Sequence, residues 1–365
     1  MILHAYFARR FLGAFSAVFA VFLLLFVLID MVEQTRKFDS DAVGFLQIFR
    51  LTLLNVPQGL YAILPLLMIL ATLTLFLSLA RTSEMVITRA SGRSALRSLV
   101  APVIMAVLIG AVCVAVFNPI VASTSRQYEV LAGQLSGDAT SVLSISAEGL
   151  WLRQGSAEGQ TVINAAQANL DGTTLYDVTF LAFDSEGTPV ERIEAARATL
   201  EPGAWALEEA KVWALAGSDN PERDARQVTT LSLASDLTQA RIQDSFATPA
   251  SIPIWDLPAF ISRLEKAGFS ARTHKVWLQR ELALPLTMVG MVLVAAGFTM
   301  RHTRFGRTGM MVLFAVSLGF AIHFLRNFAQ ILGDNGQLPV WLAAWTVPVA
   351  AVLLSLGLLL HLEDG

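Results

Sequence analysis

The sequence predicts an α-helical membrane protein with six transmembrane helices, three before and three after an inserted all-β domain. Three observations carry that reading. Of 365 residues, 55% are hydrophobic and only 15% are charged, whereas soluble domains average about 25% charged residues. The apolar surplus is gathered into runs of roughly 20 residues, the length that crosses the hydrocarbon core as a helix. Between the third and fourth runs lies a long stretch with turn signals at short intervals, the pattern of an all-β sandwich or barrel-like sheet.

The runs are residues 11–29, 60–80, 99–120, 282–300, 309–331 and 338–360. The first follows Arg9 and Arg10 and competes with a cleaved signal peptide, whose twin-arginine form it faintly echoes. It is too long for an h-region, and no small-x-small cleavage site follows, so it reads as a retained anchor. Pro65, Pro285 and Pro348 fall in or near the runs, where neighbouring helices can satisfy the freed carbonyls. Trp277, Trp341 and Trp345 lie near run ends, the depth that indole rings favour.

Arginine placement sets the orientation. The loops on one side carry Arg9, Arg10, Arg81, Arg89, Arg93, Arg97, Arg301, Arg304 and Arg307, with Glu84 the single acid among them. Excess positive charge marks the cytoplasmic side. Both termini are therefore expected inside, with residues 32–55 and 121–280 outside, which in a bacterium means the periplasm.

In the outer stretch the expected strands are 142–153, 161–170, 174–184, 190–200, 205–215 and 228–237. Their boundaries are marked by Glu148-Gly149, Asp171-Gly172, Glu186-Gly187, Pro202-Gly203 and Asn220-Pro221. Alternation along them is imperfect, and many facing positions are alanine. Two readings stay open, a rigid cap with a filled core and an open sheet pair whose apolar inside holds a lipid. A short amphipathic helix is expected at 256–267, capped by Asp256. It carries Leu257, Phe260, Ile261 and Leu264 on one side and Arg263, Glu265 and Lys266 on the other. It could lie along the membrane surface or pack against the β-domain. The expected division is thus an N-terminal transmembrane half (1–120), the β-domain with this helix (121–275) and a C-terminal half (276–365).

Several function classes drop out. A net charge of −3 argues against nucleic acid as a bulk electrostatic partner. The single cysteine, Cys113, excludes intramolecular disulfides and cysteine metal clusters, and in an apolar run it reads as a small hydrophobe. No phosphate-cradling G-x-x-x-x-G-K-[ST], no H-E-x-x-H and no G-x-S-x-G is present. The five histidines are scattered, and only His323 sits within a run. Carboxylates are nearly missing from the run interiors, since Asp30 and Glu281 fall at ends where water is expected to reach them. A proton-driven carrier, which needs buried ionisable groups, is disfavoured on that ground.

The loop between the second and third runs predicts a short helix over 83–91. Ser83 can cap it, Glu84 complements the positive end of its dipole, and Gly92 can stop it. Met85, Val86 and Ala90 form a small apolar strip, to be buried on the bilayer surface or in a groove of a cytoplasmic motor.

The stretch Ser83-Glu-Met-Val-Ile-Thr-Arg-Ala-Ser-Gly92 resembles the coupling-helix motif of the LptF/LptG permeases, which export lipopolysaccharide. The likeness covers essentially the whole chain. Trp277-Leu-Gln-Arg-Glu-Leu-Ala-Leu-Pro285 resembles the family's entry into span four. Gly333-Asp-Asn-Gly-Gln-Leu-Pro-Val-Trp-Leu-Ala-Ala-Trp345 resembles the glycine-rich turn and start of span six in the LptG branch, and Leu28-Ile-Asp30 at the end of span one also resembles that branch.

The resemblance implies a β-jellyroll for the periplasmic domain and an LptF–LptG heterodimer seated on two copies of the ATPase LptB. LptC would join through its own membrane helix, and lipid would pass to LptC and on to LptA. No cofactor would be bound by this chain, with ATP and Mg held by the partner ATPase. Glu84 matches the glutamate that contacts the ATPase, with Ser83, Met85, Val86, Arg89 and Gly92 completing the coupling helix. A plainer role for Glu84 is to stabilise its helix end. Arg36 and Lys37 fall where the family places basic residues near lipid phosphates, which cationic side chains bind by charge-assisted hydrogen bonds. Arg126 is a third candidate. Glu33, Asp39 and Asp41 dilute the charge there, leaving a solvated mixed-charge loop as the alternative. Val18, Phe22 and Phe26 on span one, with Phe314 and Phe320 on span five, are candidates to face acyl chains in a cavity shared with the partner. Two other classes compete. A force-transmitting permease of the FtsX/MacB type commonly has four spans, and a membrane anchor presenting a β-domain leaves the 83–92 helix unexplained.

Overall fold

A chain inside a bilayer has to satisfy its backbone hydrogen bonds within itself, and all six apolar runs do so as helices. The computed structural model describes residues 2–38, 44–90, 94–136, 144–146, 149–156, 159–169, 172–184, 186–217, 220–235, 237–238, 248–266, 270–300 and 308–364. They divide into a helical unit and a β unit. The helical unit is Met1–Ser136, Ala250–Trp255 and Arg272–Gly365, and the β unit is Gly137–Pro249 with Asp256–Ala271.

The first half of the helical unit comprises α1 (Ile2–Lys37), α2 (Phe45–Arg81), α3 (Glu84–Ala90), α4 (Ala95–Val112) and α5 (Asn118–Ser136). A π-helical turn, Cys113–Phe117, joins α4 to α5 within one continuous span. Its cause is nearby. Pro119 has no N–H to give the carbonyl four residues back, and that carbonyl, on Ala115, accepts the Trp255 indole N–H at 3.1 Å instead.

In the second half α7 (Arg272–Leu282) and α8 (Leu284–Thr299) meet at a 48° bend, where Pro285 enters the first turn of α8. They are followed by α9 (Thr308–Asp334) and α10 (Val340–Asp364). Among the described residues five helices are long and apolar enough to cross a membrane alone, and the bent pair, counted as one span, makes six.

Helices in lipid gain little from hiding apolar surface and pack instead where small residues let backbones approach. A Cβ on Gly110 would stand 2.6 Å from the Pro285 Cα, and one on Gly333 would stand 2.6 Å from the Ala343 Cβ. The result is uneven burial. In the most apolar stretch of α2 61% of the residues are buried, in that of α9 22%, and in that of α1 every residue is half-buried or exposed.

Among the described residues the β unit is one antiparallel sheet of seven strands in sequence order. These are β1 (Ser144–Ser146), β2 (Gly149–Ser156), β3 (Gly159–Ala168), β4 (Thr174–Asp184), β5 (Pro189–Glu201), β6 (Ala204–Ala214) and β7 (Arg226–Ala234). The single strand expected over 142–153 is two, because Ser146 pairs with Gly149 across a hairpin. Short turns with Gly172, Gly187 and Gly203 at positive φ join neighbours and impose the meander.

The imperfect alternation has a structural cause. Buried positions fall two apart along most of each strand, but three apart at Ala165/Ala168, Leu175/Val178, Ala195/Ala198 and Leu207/Ala210. These breaks share one row across the sheet, and Asp177 (φ 51°) and Glu209 (φ 53°) lie in it. The register on either side is unchanged: Tyr176 pairs with Arg197 and Val178 with Ala195. One added residue per strand therefore keeps the same face inward through a fold in the sheet.

Two contacts show how far the sheet folds. Phe180 is in row with Val212 through Ile193, and Val212 lies about 23 Å along a flat strand from Trp205. Yet the Phe180 and Trp205 rings meet edge to face at 6.2 Å. Gln154 on β2 accepts from Ser235 Oγ (2.8 Å) and donates to the Ala234 carbonyl (3.2 Å), joining strands five places apart in the sheet. The all-β domain expected from the sequence is thus a meander rolled into two layers. Its inner side chains, Ile163, Leu175, Phe180 and Trp205 among them, are buried, so the interior between them is filled in this conformation.

The expected amphipathic helix is α6 (Leu257–Lys266). The Asp256 carbonyl accepts from the Phe260 N–H, and Leu257, Ile261 and Leu264 are buried. It belongs to the β unit and touches β1, so its apolar face packs on protein rather than lying along a membrane surface.

Candidate functional site

The expected coupling helix is α3, seven residues between α2 and α4. Ser83 precedes it in the left-handed region (φ 57°) and occupies the cap position through its carbonyl, which accepts from the Ile87 N–H at 3.2 Å. The Glu84 carboxylate is held from two sides. Oε2 accepts from the Tyr6 hydroxyl at 2.8 Å, and Oε1 accepts from Arg10 Nη2 at 3.2 Å and Thr82 Oγ1 at 3.0 Å. Arg10 also lies over the Tyr6 ring, 5.3 Å from its centroid. Beside this clasp a cavity of about 510 Å3 opens between α1 and α2, lined by Tyr6, Arg9, Arg10, Gly13, Ala14, Thr74, Leu75 and Ser78. Met85, Val86 and Arg89 lie on α3 with side chains outside the described set, and Gly92 lies outside the described residues.

At the opposite end of α1, Arg36 is exposed, and so is Arg126 on α5. Lys37 donates to the Tyr128 hydroxyl at 3.4 Å and lies over the Tyr128 and Phe38 rings. The Tyr128 hydroxyl donates to Gln34, and both Gln34 and Asn55 donate to Asp30, Asn55 at 2.6 Å. Asp30 is only 8% exposed, so the expectation that water reaches it is corrected: α2 supplies Asn55 against its open side.

The five residues proposed to face acyl chains split by helix. Phe314 and Phe320 point outward from α9, about half exposed. Val18, Phe22 and Phe26 do not point outward from α1. Val18 and Phe22 pack against the buried core, and the Phe26 ring rests where a Cβ on Gly59 would be. Their spacing of four places them on one helical stripe, and that stripe is the inward one. The outward face of α1 carries Val21, Leu24, Leu25, Leu28 and Ile29.

Sequence reasoning missed a charged network inside the helical unit. Glu281, placed by the sequence at a span end within reach of water, is 4% exposed. The Tyr61 hydroxyl and the Asn118 amide both donate to Glu281 Oε2, and Asn118 Oδ1 accepts the Ile254 N–H at 2.9 Å. Arg280 donates to Asn327 at 3.0 Å, Asn327 contacts His323 at 3.2 Å, and Arg326, also 4% exposed, lies within electrostatic reach of Glu281. The bend between α7 and α8 tucks this segment against α2 and α5. The available signal was Arg326, a charge in an apolar run, which has to find a partner inside the bundle.

A family described as "Lipopolysaccharide export system permease LptF/LptG" matches residues 5–361. The chain belongs to the LptF/LptG family. It is 24% identical over 344 residues to the lipopolysaccharide export system permease protein LptG of Haemophilus influenzae, covering 91% of this chain and 90% of that protein. It is likewise 24% identical over 347 residues to LptG of Escherichia coli K12, covering 92% of this chain and 91% of the relative.

The stretches that resemble LptF/LptG permeases fall at structural junctions. Residues 277–285 span the α7–α8 bend and supply Arg280 and Glu281. Residues 333–345 form the turn into α10, where Arg272 donates to the Gly333 and Leu338 carbonyls, and Trp345 donates to Gln279 at 2.9 Å. The two stretches are thereby bonded to one another.

Proposed function

We propose that this LptF/LptG-family permease is one transmembrane subunit of an ATP-driven machine that extracts lipopolysaccharide from the outer leaflet of the inner membrane. In this reading both termini and α3 are cytoplasmic, and the β unit is periplasmic. An LptF-type chain is its heterodimer partner, a dimeric LptB-type ATPase binds beneath, and LptC and LptA receive the lipid. The chain hydrolyses nothing itself. ATP and Mg act on the motor, whose closure draws the coupling helices together.

The carrying observation is α3, a short helix on the arginine-rich side that bears a carboxylate and is tied to α1. The outward apolar faces of α1 and α9 fit a cavity shared with the partner, and Phe314 and Phe320 belong to that surface. Arg36, Lys37 and Arg126 are the cations offered to lipid phosphates, with Lys37 positioned by Tyr128. The β unit is filled as it stands, so it has to loosen or guide the lipid along its edges.

The test is Glu84→Lys in the assembled complex. Loss of ATPase copurification and of ATP-dependent lipopolysaccharide release is expected. Both surviving unchanged would overturn the assignment.

A further inference from the structure

We infer that Tyr6 and Arg10 are positioning residues that hand the movement of α3 to α1, so that the coupling helix drives the lipid-facing helix directly. This rests on the proposed role of α3 in ATPase coupling.

Glu84 has three side-chain donors, and two of them belong to α1. They approach different carboxylate oxygens, so the carboxylate is held in orientation as well as in place. A charge-assisted pair with a second hydroxyl bond resists rotation better than a single contact. One helical turn away, Phe7 and Phe11 are 2% and 0% exposed, so the foot of α1 is locked into the core at the same level. Farther along, no residue of the most apolar stretch of α1 is fully buried, and Val21, Leu24, Leu25, Leu28 and Ile29 stand exposed on one side.

Helix α1 is therefore fixed at its foot and bare along one face. Its far end is bonded to α2 through Asp30–Asn55 and to α5 through Lys37–Tyr128, so a shift of α3 moves the foot of α1 against that anchored end. The cavity lined by Arg9, Gly13 and Thr74 leaves room between α1 and α2 beside the clasp. Glu84 would thus have two duties, meeting the motor from below and holding α1 from the side.

The test uses the full complex in proteoliposomes loaded with lipopolysaccharide, comparing Tyr6→Phe, Arg10→Gln, the double variant and Arg10→Lys. ATPase copurification, ATP turnover and lipid released per ATP are measured together. The double variant is expected to keep the ATPase bound and turning over, while lipid released per ATP falls roughly fivefold, the scale of an exposed ion pair. Arg10→Lys should recover much of that loss, which a merely structural defect would not. An unchanged ratio in the double variant overturns the inference, as does loss of the bound ATPase, because Tyr6 and Arg10 would then serve docking alone. Glu84→Lys, run alongside, separates this from failure of the underlying reading. If that variant leaves ATPase binding and release intact, the coupling assignment itself falls, whatever Tyr6 and Arg10 do.

Discussion

The helical unit and the β unit place their charges in opposite ways. In the helical unit Glu281 and Arg326 are buried with Tyr61, Asn118 and Arg280 around them. In the β unit the pairs Arg192–Glu194, Arg197–Glu208, Lys211–Glu222 and Arg223–Asp224 all lie on the surface. Where water surrounds the chain, an ion pair has an alternative partner everywhere and contributes little. Inside a bundle no alternative exists, so a charge is held by its network or not held at all. The close-packing devices differ likewise. The bundle relies on glycines at helix contacts, and the sheet relies on large side chains such as Trp205 and Phe180 between its two layers.

The largest expected effect tests the buried network. Glu281→Ala takes the shared acceptor from the buried Tyr61 hydroxyl and Asn118 amide and should destabilise the protein by about 1–3 kcal/mol for each donor left unpaired. Thermal unfolding in detergent, followed by the helical signal, measures it. A loss no larger than that of a surface pair would remove the contrast between the units.

Packing comes next. Gly110→Ala forces a Cβ to within 2.6 Å of the Pro285 Cα, and overpacking of this kind costs about 1–3 kcal/mol. Gly13→Ala meets nothing within 4 Å and should be neutral or stabilising by up to about 1 kcal/mol. The difference between the two melting temperatures reports whether α4 is seated on α8 while α1 presents a free face.

The smallest effect belongs to the β surface. Glu222 accepts from Lys211 Nζ and from the Trp213 indole N–H, and these bonds hold its carboxyl below the usual range for a glutamate. A lowered carboxylate stabilises the fold above its ordinary titration range. The contribution disappears as pH falls through the lowered value. Hydrogen exchange in the turn at 220–225 should be slower in the native chain than in Glu222→Gln at neutral pH. The two should converge in acid, with global unfolding unmoved.

Much of the architecture was legible in the sequence because it depends on local chemistry. The apolar runs matched the six spans, and the turn residues matched the strand ends, with 174–184 recovered without change. The short helix that Glu84 opens was legible because its cap, its first-turn acid and its apolar strip are local signals. The orientation of α1 was not legible. A helix apolar all round has no polar side to mark its exposed face, so Val18, Phe22 and Phe26 looked as suited to lipid as Leu24 and Leu25. Glu281 was misplaced because distance from a run's end says nothing about a bend. The folded sheet hid in the same way: an alternation broken once in each of β3 to β6 looks like noise until the breaks share a row.

The class, the apolar spans, most of the strands and the short helix after α2 were legible in the sequence alone, because each follows from residues within a few positions of one another. Which face of each helix is bare, which carboxylate is buried and where the sheet turns on itself were decided only by tertiary structure. Lipid and protein interior are nearly the same solvent to a leucine side chain. The choice between them is therefore made by what packs alongside, and Tyr6, Arg10 and Glu84, nearly eighty residues apart, meet only once the helices have chosen.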